Sequence, residues 1–238
     1  MKKVVKFGGS SLASAEQFMK AGDIIRADES RRYVVPSAPG KRSSDDTKVT
    51  DMLLHVYETA AEGGDIDSEM KAIKARYDEI IKGLGLKDFS LDKDIEESAS
   101  KLKAEPEKDY AASRGEFLNG KIMAKYLDAE FIDAAEVIFF NEEGNLNDYK
   151  TDKTLSARLA NCDKAVIPGF YGLGKNGKIK TFSRGGSDVT GSIVAKAAKA
   201  DVYENWTDVS GFLIADPRII DQPEIIETIT YKELRELA

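Results

Sequence analysis

The sequence predicts an α/β protein: a three-layer αβα sandwich around a mostly parallel central sheet, with a helical lobe around residues 65–127. Three observations carry this. First, the strand-like runs "VVKF" and "RRYVVPS" flank "SAEQFMKAGDIIRADES", whose Phe18, Ala21, Ile24 and Ile25 fall at helical spacing. Strand, helix, strand within about 35 residues opens a parallel βαβ unit. Second, strand signals return after residue 130. Third, the stretch between is helical, with high and evenly mixed charge, as a solvated outer face requires.

Pro36 and Pro39 stop the second strand, and "SAPGKRSSDD" follows as a polar loop. Val49, Leu53, Val56 and Ala60 carry the next helix. Within 65–127, "GLGLKDFS" and Pro106 punctuate the helices. "AEVIFF", "KAVIPGFYG", "KIKTFS" and "DVYENW" then read as strands, and a helix from roughly 187 to 199 lies between the last two. The sequence holds no repeat and no low-complexity tract.

Composition narrows the function. The 238 residues are 42% apolar and 32% charged, ordinary for a soluble globular chain. No stretch approaches the roughly 18 apolar residues of a membrane span. The N-terminal apolar run breaks at Lys6, so a secretory leader is not expected. Cys162 is the only cysteine, which excludes an internal disulfide and a multi-cysteine metal site. These features predict a cytoplasmic protein. The net charge of −7 argues against nucleic-acid binding, and any anionic substrate needs positive charge concentrated locally.

Three glycine-rich stretches compete for that role. "GFYGLGKNGKIKT" nearly fits two phosphate motifs: Gly169 to Asn176 matches G-x-x-x-x-G-K-[ST] except for Asn176, and Gly172, Gly174 and Gly177 match G-x-G-x-x-G. Both patterns need a helix after the glycines, yet "KIKTF" reads as a strand, so a hairpin turn is the expectation. In "SRGGSDVTGSIVAKAAKA", by contrast, Arg184, Gly185, Gly186, Ser187, Asp188 and Thr190 stand where a helical pattern begins. The glycines allow close backbone approach, the helix N-terminus offers free amides, and Arg184 is a planar double donor for a carboxylate or phosphate. A plain capped helix, with Ser187 or Asp188 as N-cap, accounts for the hydroxyl and the acid only. "KFGGSS" at residues 6–11 repeats the grammar of strand, glycines, hydroxyls, helix. Two such turns at the carboxyl edge of one parallel sheet mark a ligand site.

The blocks "VVKFGGSS", "VVPSAPGKRSSDDTKVTD", "SRGE", "PGFYG…TFSRGGSDVTGSIVA" and "WTDVSGFLIADPRII" occur in the order and spacing of aspartokinases. From residue 3 to about 220, the chain resembles that family of the amino-acid kinase superfamily. The resemblance implies the amino-acid kinase fold and ATP-dependent phosphorylation of the L-aspartate side-chain carboxylate to 4-phospho-L-aspartate, the first step toward lysine, threonine and methionine. It implies that Lys6 contacts the transferring phosphoryl group and that Gly8, Gly9 and Ser10 form the phosphate turn. Thr50, Glu116, Arg184 and Ser187 match aspartate-binding positions, Asp188 matches an acid beside the reaction centre, and Thr207, Asp208 and Arg218 match the nucleotide segment. ATP and Mg²⁺ are the implied cofactors; no protein metal site is expected. The nucleophile is a carboxylate already ionised at neutral pH, so no general base is needed and Asp188 is expected to orient Lys6 or a metal. Arg184 is expected to pair with the α-carboxylate and Glu116 with the α-ammonium.

Residues 1–238 are thus expected to be one catalytic domain, with a substrate lobe at about 1–165 and a nucleotide-binding part at about 166–238. The departures are Ser10 where threonine is common, Leu213 where some relatives have tyrosine, and a long loop from Lys41 to Lys48. The last residues, "TYKELRELA", fall short of the family's further nucleotide-contacting lysine and its ACT regulatory domains, so a kinase part alone is expected. Expected partners are the small molecules L-aspartate and ATP, with no nucleic acid and no membrane; a homo-oligomer is left open. Two other readings stand beside this one: a silent nucleotide- or amino-acid-binding fragment, and a superfamily kinase for glutamate, acetylglutamate, carbamate or UMP. His55 reads as a helix-surface residue, Cys162 as structural and Trp206 as core.

Overall fold

Alternation along the first strand decides the architecture. In a computed structural model, which describes residues 1–183, 185–208, 211, 214 and 219–230, β1 (Lys3–Phe7) sends Val5 and Phe7 to one face and Val4 to the other. β2 (Arg31–Pro36) and β4 (Ala165–Val166) split likewise: Val34 and Val166 join the first core, Tyr33, Val35 and Ala165 the second. A sheet apolar on both faces has to be covered on both. The chain divides at Trp206 into two units, Met1–Trp206 and Thr207–Ala238.

The sheet has five strands in the order β3-β4-β2-β1-β7, where β3 is Glu130–Phe131 and β7 is Val202–Trp206, and every pairing is parallel. On one face lie α1 (Ala15–Arg26), α2 (Val49–Ala61), α3 (Asp67–Gly83), α4 (Asp92–Ala104) and α5 (Lys108–Leu127). On the other lie α6 (Ala134–Val137), α7 (Asp148–Ala160) and α8 (Gly186–Ala198). The predicted sandwich and helical lobe are therefore observed. α5 is buried almost all round, including Arg114, Glu116 and Asn119, and it carries polar groups into the interior. Phe18, Leu53, Ile73, Tyr77 and Leu118 are fully buried in the same core, where burying an aliphatic or phenyl side chain contributes about 1.5–3 kcal/mol.

Local sequence accounts for most boundaries. Ser14 caps α1 by accepting a hydrogen bond from the Gln17 amide. Asp128 ends α5 in the left-handed region at φ 50°. The glycine-rich loop after residue 173 is a hairpin turn between β5 (Tyr171–Leu173) and β6 (Ile179–Thr181), paired antiparallel as predicted. Two expectations change. "AEVIFF" is not one strand: Asp133 accepts from the Ala135 amide and starts the short α6, leaving Phe139 and Phe140 in single bridges. "KFGGSS" does not run straight into α1 but into a 3-10 turn at Ser10–Leu12.

Candidate active site

The alternation that buries Val4 also turns Lys6 toward α8. Lys6 is 7% exposed at the carboxyl end of β1, and its Nζ lies 2.9 Å from Asp188 Oδ1 in the first turn of α8. The β1–β7 register sets Lys6 opposite Asn205, whose Nδ2 donates to the same Asp188 oxygen at 3.0 Å. Asp188 is thus held from two adjacent strands, and it aligns the buried ammonium. A buried lysine needs such a partner, because an unpaired charge there is costly. Asn205 was not singled out by sequence reading; only strand register reveals it.

The paired glycines before α8 have two distinct tasks. Gly185 takes φ 55°, a conformation that L side chains rarely adopt, and serves as the N-cap. A Cβ on Gly186 would lie 2.5 Å from the Phe170 ring and 2.9 Å from its Cα. Neither Ser187 nor Asp188 is the cap, contrary to the plain capped-helix alternative, and the N-terminus of α8 has no side-chain cap among the described residues. Among the described residues no side chain caps its first amides, the groups that a helix start presents to an anion. Ser187 is buried against Gly169, where an added Cβ would come within 2.6 Å of its hydroxyl. Thr190 instead serves the fold, donating to Gly186 O at 2.9 Å and accepting from the Phe170 amide.

The "KFGGSS" turn is joined to the loop after β2. Ser37 N donates to Phe7 O at 3.1 Å, Gly8 N to Trp206 O at 3.0 Å, and Gly40 N to Gly9 O at 2.8 Å. Gly9 and Gly40 are so close that a Cβ on Gly40 would lie 2.7 Å from the Gly9 carbonyl carbon. Ser10 is exposed at the start of the 3-10 turn. The same loop reaches α5: Asn119 Nδ2 donates to Ser37 O at 2.6 Å, and Ala38 is packed on Gly115. Thr50, in the first turn of α2, also faces Gly115, its Oγ1 3.7 Å from a Cβ built there. Glu116 is buried beside them with Oε2 unpartnered. Burial pushes its carboxyl up to about 8, against the opposing pull of the Ala38 amide, its own amide and Arg114. An unpaired buried carboxyl of this kind accepts a cation well. Arg114, from the "SRGE" block, packs instead among the Tyr110, Phe117 and Tyr171 rings.

The structure therefore brings together Lys6 with Asp188, Gly9 with the 37–40 loop, and that loop with Thr50 and Glu116. Arg184 and Arg218 lie outside the described residues, as does Leu213. Thr207 and Asp208 belong to the second unit, where Thr207 Oγ1 donates to Asp208 Oδ1 at 3.1 Å. On the hairpin, Lys175 is paired with Glu142, Lys178 with Glu105, and Lys180 with Asp109, so its cations are already engaged. His55 stands exposed on α2, 3.9 Å from Glu58. Burial raises the Cys162 thiol to about 11, far from a reactive thiolate. Trp206 stacks on Phe7 at 6.2 Å as part of the core. No group of three or more His, Cys, Asp or Glu able to hold a metal occurs among the described residues, and none of their helices is long and apolar enough to cross a membrane.

A parallel sheet whose carboxyl edge carries a buried lysine, a glycine turn and an uncapped helix N-terminus defines an α/β protein built to bind an anionic ligand. The Amino acid kinase family model matches residues 1–238, and the chain belongs to that family. It is 39% identical over 249 residues to aspartokinase 3 of Bacillus subtilis, covering 99% of this chain and 55% of that protein. Aspartokinase 1, chloroplastic, of Arabidopsis thaliana is 32% identical, with 99% of this chain and 45% of that protein covered. The crystal structure of Clostridium acetobutylicum aspartate kinase superposes with a TM-score of 0.95 at 52% identity, covering all of this chain and 55% of that one. E. coli aspartokinase III, solved in complex with aspartate and ADP, shares the fold at a TM-score of 0.81 and 24% identity, with 56% of its chain covered. The chain thus spans about half the length of the relatives it matches.

Proposed function

We propose that this chain is the catalytic part of an aspartate kinase, which transfers the γ-phosphoryl group of ATP to the side-chain carboxylate of L-aspartate, giving 4-phospho-L-aspartate and ADP at the head of lysine, threonine and methionine synthesis. The observation that carries the reading is the Lys6–Asp188 ion pair beside the glycine turn and the uncapped N-terminus of α8. The similarity to the Clostridium enzyme along the whole chain supports the choice of aspartate within the family.

In this mechanism a carboxylate oxygen of aspartate bonds to the γ-phosphorus while the bond from that phosphorus to the β-phosphate oxygen breaks. The nucleophile is ionised at neutral pH, so no proton has to be removed. The chain's work is positioning and charge. Lys6 faces the phosphoryl oxygens, and Asp188 and Asn205 fix its direction. Gly8, Gly9 and Ser10 form the phosphate turn, and the α8 amides face developing negative charge. Glu116 takes the α-ammonium, with Thr50 and Ser187 beside the aspartate and Arg184 on its α-carboxylate. Thr207, Asp208 and Arg218 are assigned to the nucleotide, within a substrate lobe of about 1–165 and a nucleotide part of about 166–238. Asp188, at the start of α8, is the carboxylate that would help hold a Mg²⁺ bound to the nucleotide. When bound, Mg²⁺ would neutralise charge on the nucleotide's phosphates. A cytoplasmic location is part of this reading, and no described helix is long and apolar enough to cross a membrane.

Hydroxylamine trapping of acyl phosphate across a panel of aspartate, glutamate, acetylglutamate, carbamate and UMP tests the assignment. Aspartyl hydroxamate is the expected product, and faster ADP formation with any other acceptor contradicts it.

A further inference from the structure

Arg76 sits in the middle of α3 with 5% of its surface exposed. A buried guanidinium is costly unless its charge is paired, and here both Nη atoms have acceptors while Nε has none among the described residues. The acceptors here are unusual in their placement. Nη2 donates to Gly40 O at 2.7 Å and to Ala13 O at 3.3 Å, while Nη1 pairs with Asp46 at 2.5 Å. None belongs to the helical lobe that carries Arg76. Ala13 ends the 3-10 turn of "KFGGSS", Gly40 is the residue packed on Gly9, and Asp46 lies in the long loop before α2. Asp46 in turn accepts from both the side chain and the backbone amide of Arg42. The hydrogen bonds from Arg42 and Arg76 hold the Asp46 carboxyl well below the usual carboxylate range.

We propose that Arg76 is a positioning residue for phosphoryl transfer: from outside the sheet, it clamps the phosphate turn and the 37–40 loop into one rigid unit. This rests on the kinase reading given above. The physical logic is direct. Gly40 N holds Gly9 O, and Arg76 holds Gly40 O, so the position of the turn that carries Gly8, Gly9 and Ser10 is set through Gly40. The other end of the turn is held at Ala13 O by the same guanidinium. A planar fork can bind two carbonyls and a carboxylate at once, whereas an ammonium is a point donor. Misplacing a reacting group by about 1 Å costs on the order of 10²-fold in rate, so a lysine that keeps the charge but loses the fork registers in catalysis.

The test uses Arg76→Lys and Asp46→Asn in the full chain, with two readouts. The first is hydrogen exchange at the Gly40 and Leu12 amides, both of which donate to Gly9 O. The clamp predicts exchange at least about ten-fold faster in Arg76→Lys, with amides of α5 unchanged. The second is steady-state kinetics: kcat falls about ten-fold or more while the aspartate KM moves less than about three-fold, the split expected when alignment rather than binding is lost. Asp46→Asn moves both readouts in the same direction by less, and it decides the matter if Arg76→Lys does not fold. Unchanged exchange at these amides overturns the proposal, as does an unchanged kcat in an active chain. If the unaltered chain forms no acyl phosphate, the kinase reading has failed, and exchange alone decides the clamp.

Discussion

Glu116 shows how one buried side chain can report on its ligand. Its carboxyl titrates near 8 in the folded chain because burial disfavours the charged form, against an ordinary value of 4.5. Between these values the folded chain keeps a proton that the unfolded chain has lost. Stability from this group is therefore greatest below about pH 4.5 and declines as pH rises toward about 8. An ammonium placed against Glu116 favours its ionised form. Binding of L-aspartate at pH 7 should therefore release close to one proton, falling toward zero near pH 9. Calorimetry in buffers of different ionisation enthalpy measures this directly. A heat at pH 7 independent of the buffer contradicts the pairing of Glu116 with the amine. At this scale the sequence was partly legible. Lys6, Ser187 and Asp188 stood out because charge and hydroxyl next to paired glycines have few other uses. Asn205 and Arg76 did not, because each acquires its role from a residue far away in the chain, Asp188 across the sheet register and Gly40 across the lobe.

The helices and turns show a different limit. The α8 entry depends on Gly185 for its positive φ and on Gly186 for contact with Phe170. Gly186→Ala places a methyl group 2.5 Å from that ring, and the expected cost is about 1–3 kcal/mol of stability, read as a lower urea midpoint with an unchanged slope. An unaltered midpoint shows that Phe170 can move and that the contact is not what selects glycine. The long amphipathic helices and the β5–β6 hairpin were readable from periodicity and turn chemistry. α6 was misread as strand because Val137, Ile138, Phe139 and Phe140 form a run of β-formers, although Asp133 ahead of two alanines is an N-cap signal. α7 was overlooked although Asn147 caps it and Thr151, Leu155 and Leu159 mark its buried side. Capping residues would have located both helices better than hydrophobicity did.

Across Met1–Trp206, two apolar cores grip one parallel sheet, and α5 threads polar groups through the larger of them. Placing the glycine turns at the carboxyl ends of strands was legible because strand, glycine and helix follow one another in the sequence. The pairing of β1 with β2 was legible as a βαβ unit, but the place of β7 on the other side of β1 was not, since most of the chain lies between them. The result is a chain of net charge −7 that concentrates a buried ammonium and an uncapped helix N-terminus at one sheet edge. In the proposed reaction that local field lets Lys6 stabilise a phosphoryl group in transfer. Phosphorus NMR of this chain with Mg-ATP and L-aspartate tests it most directly, comparing the unaltered protein with Lys6→Ala. An acyl-phosphate resonance is expected to grow in step with ADP, at a rate lower by about 10²–10³-fold in Lys6→Ala. Acyl phosphate formed at an undiminished rate by Lys6→Ala, or ADP formed without it by the unaltered chain, contradicts the account.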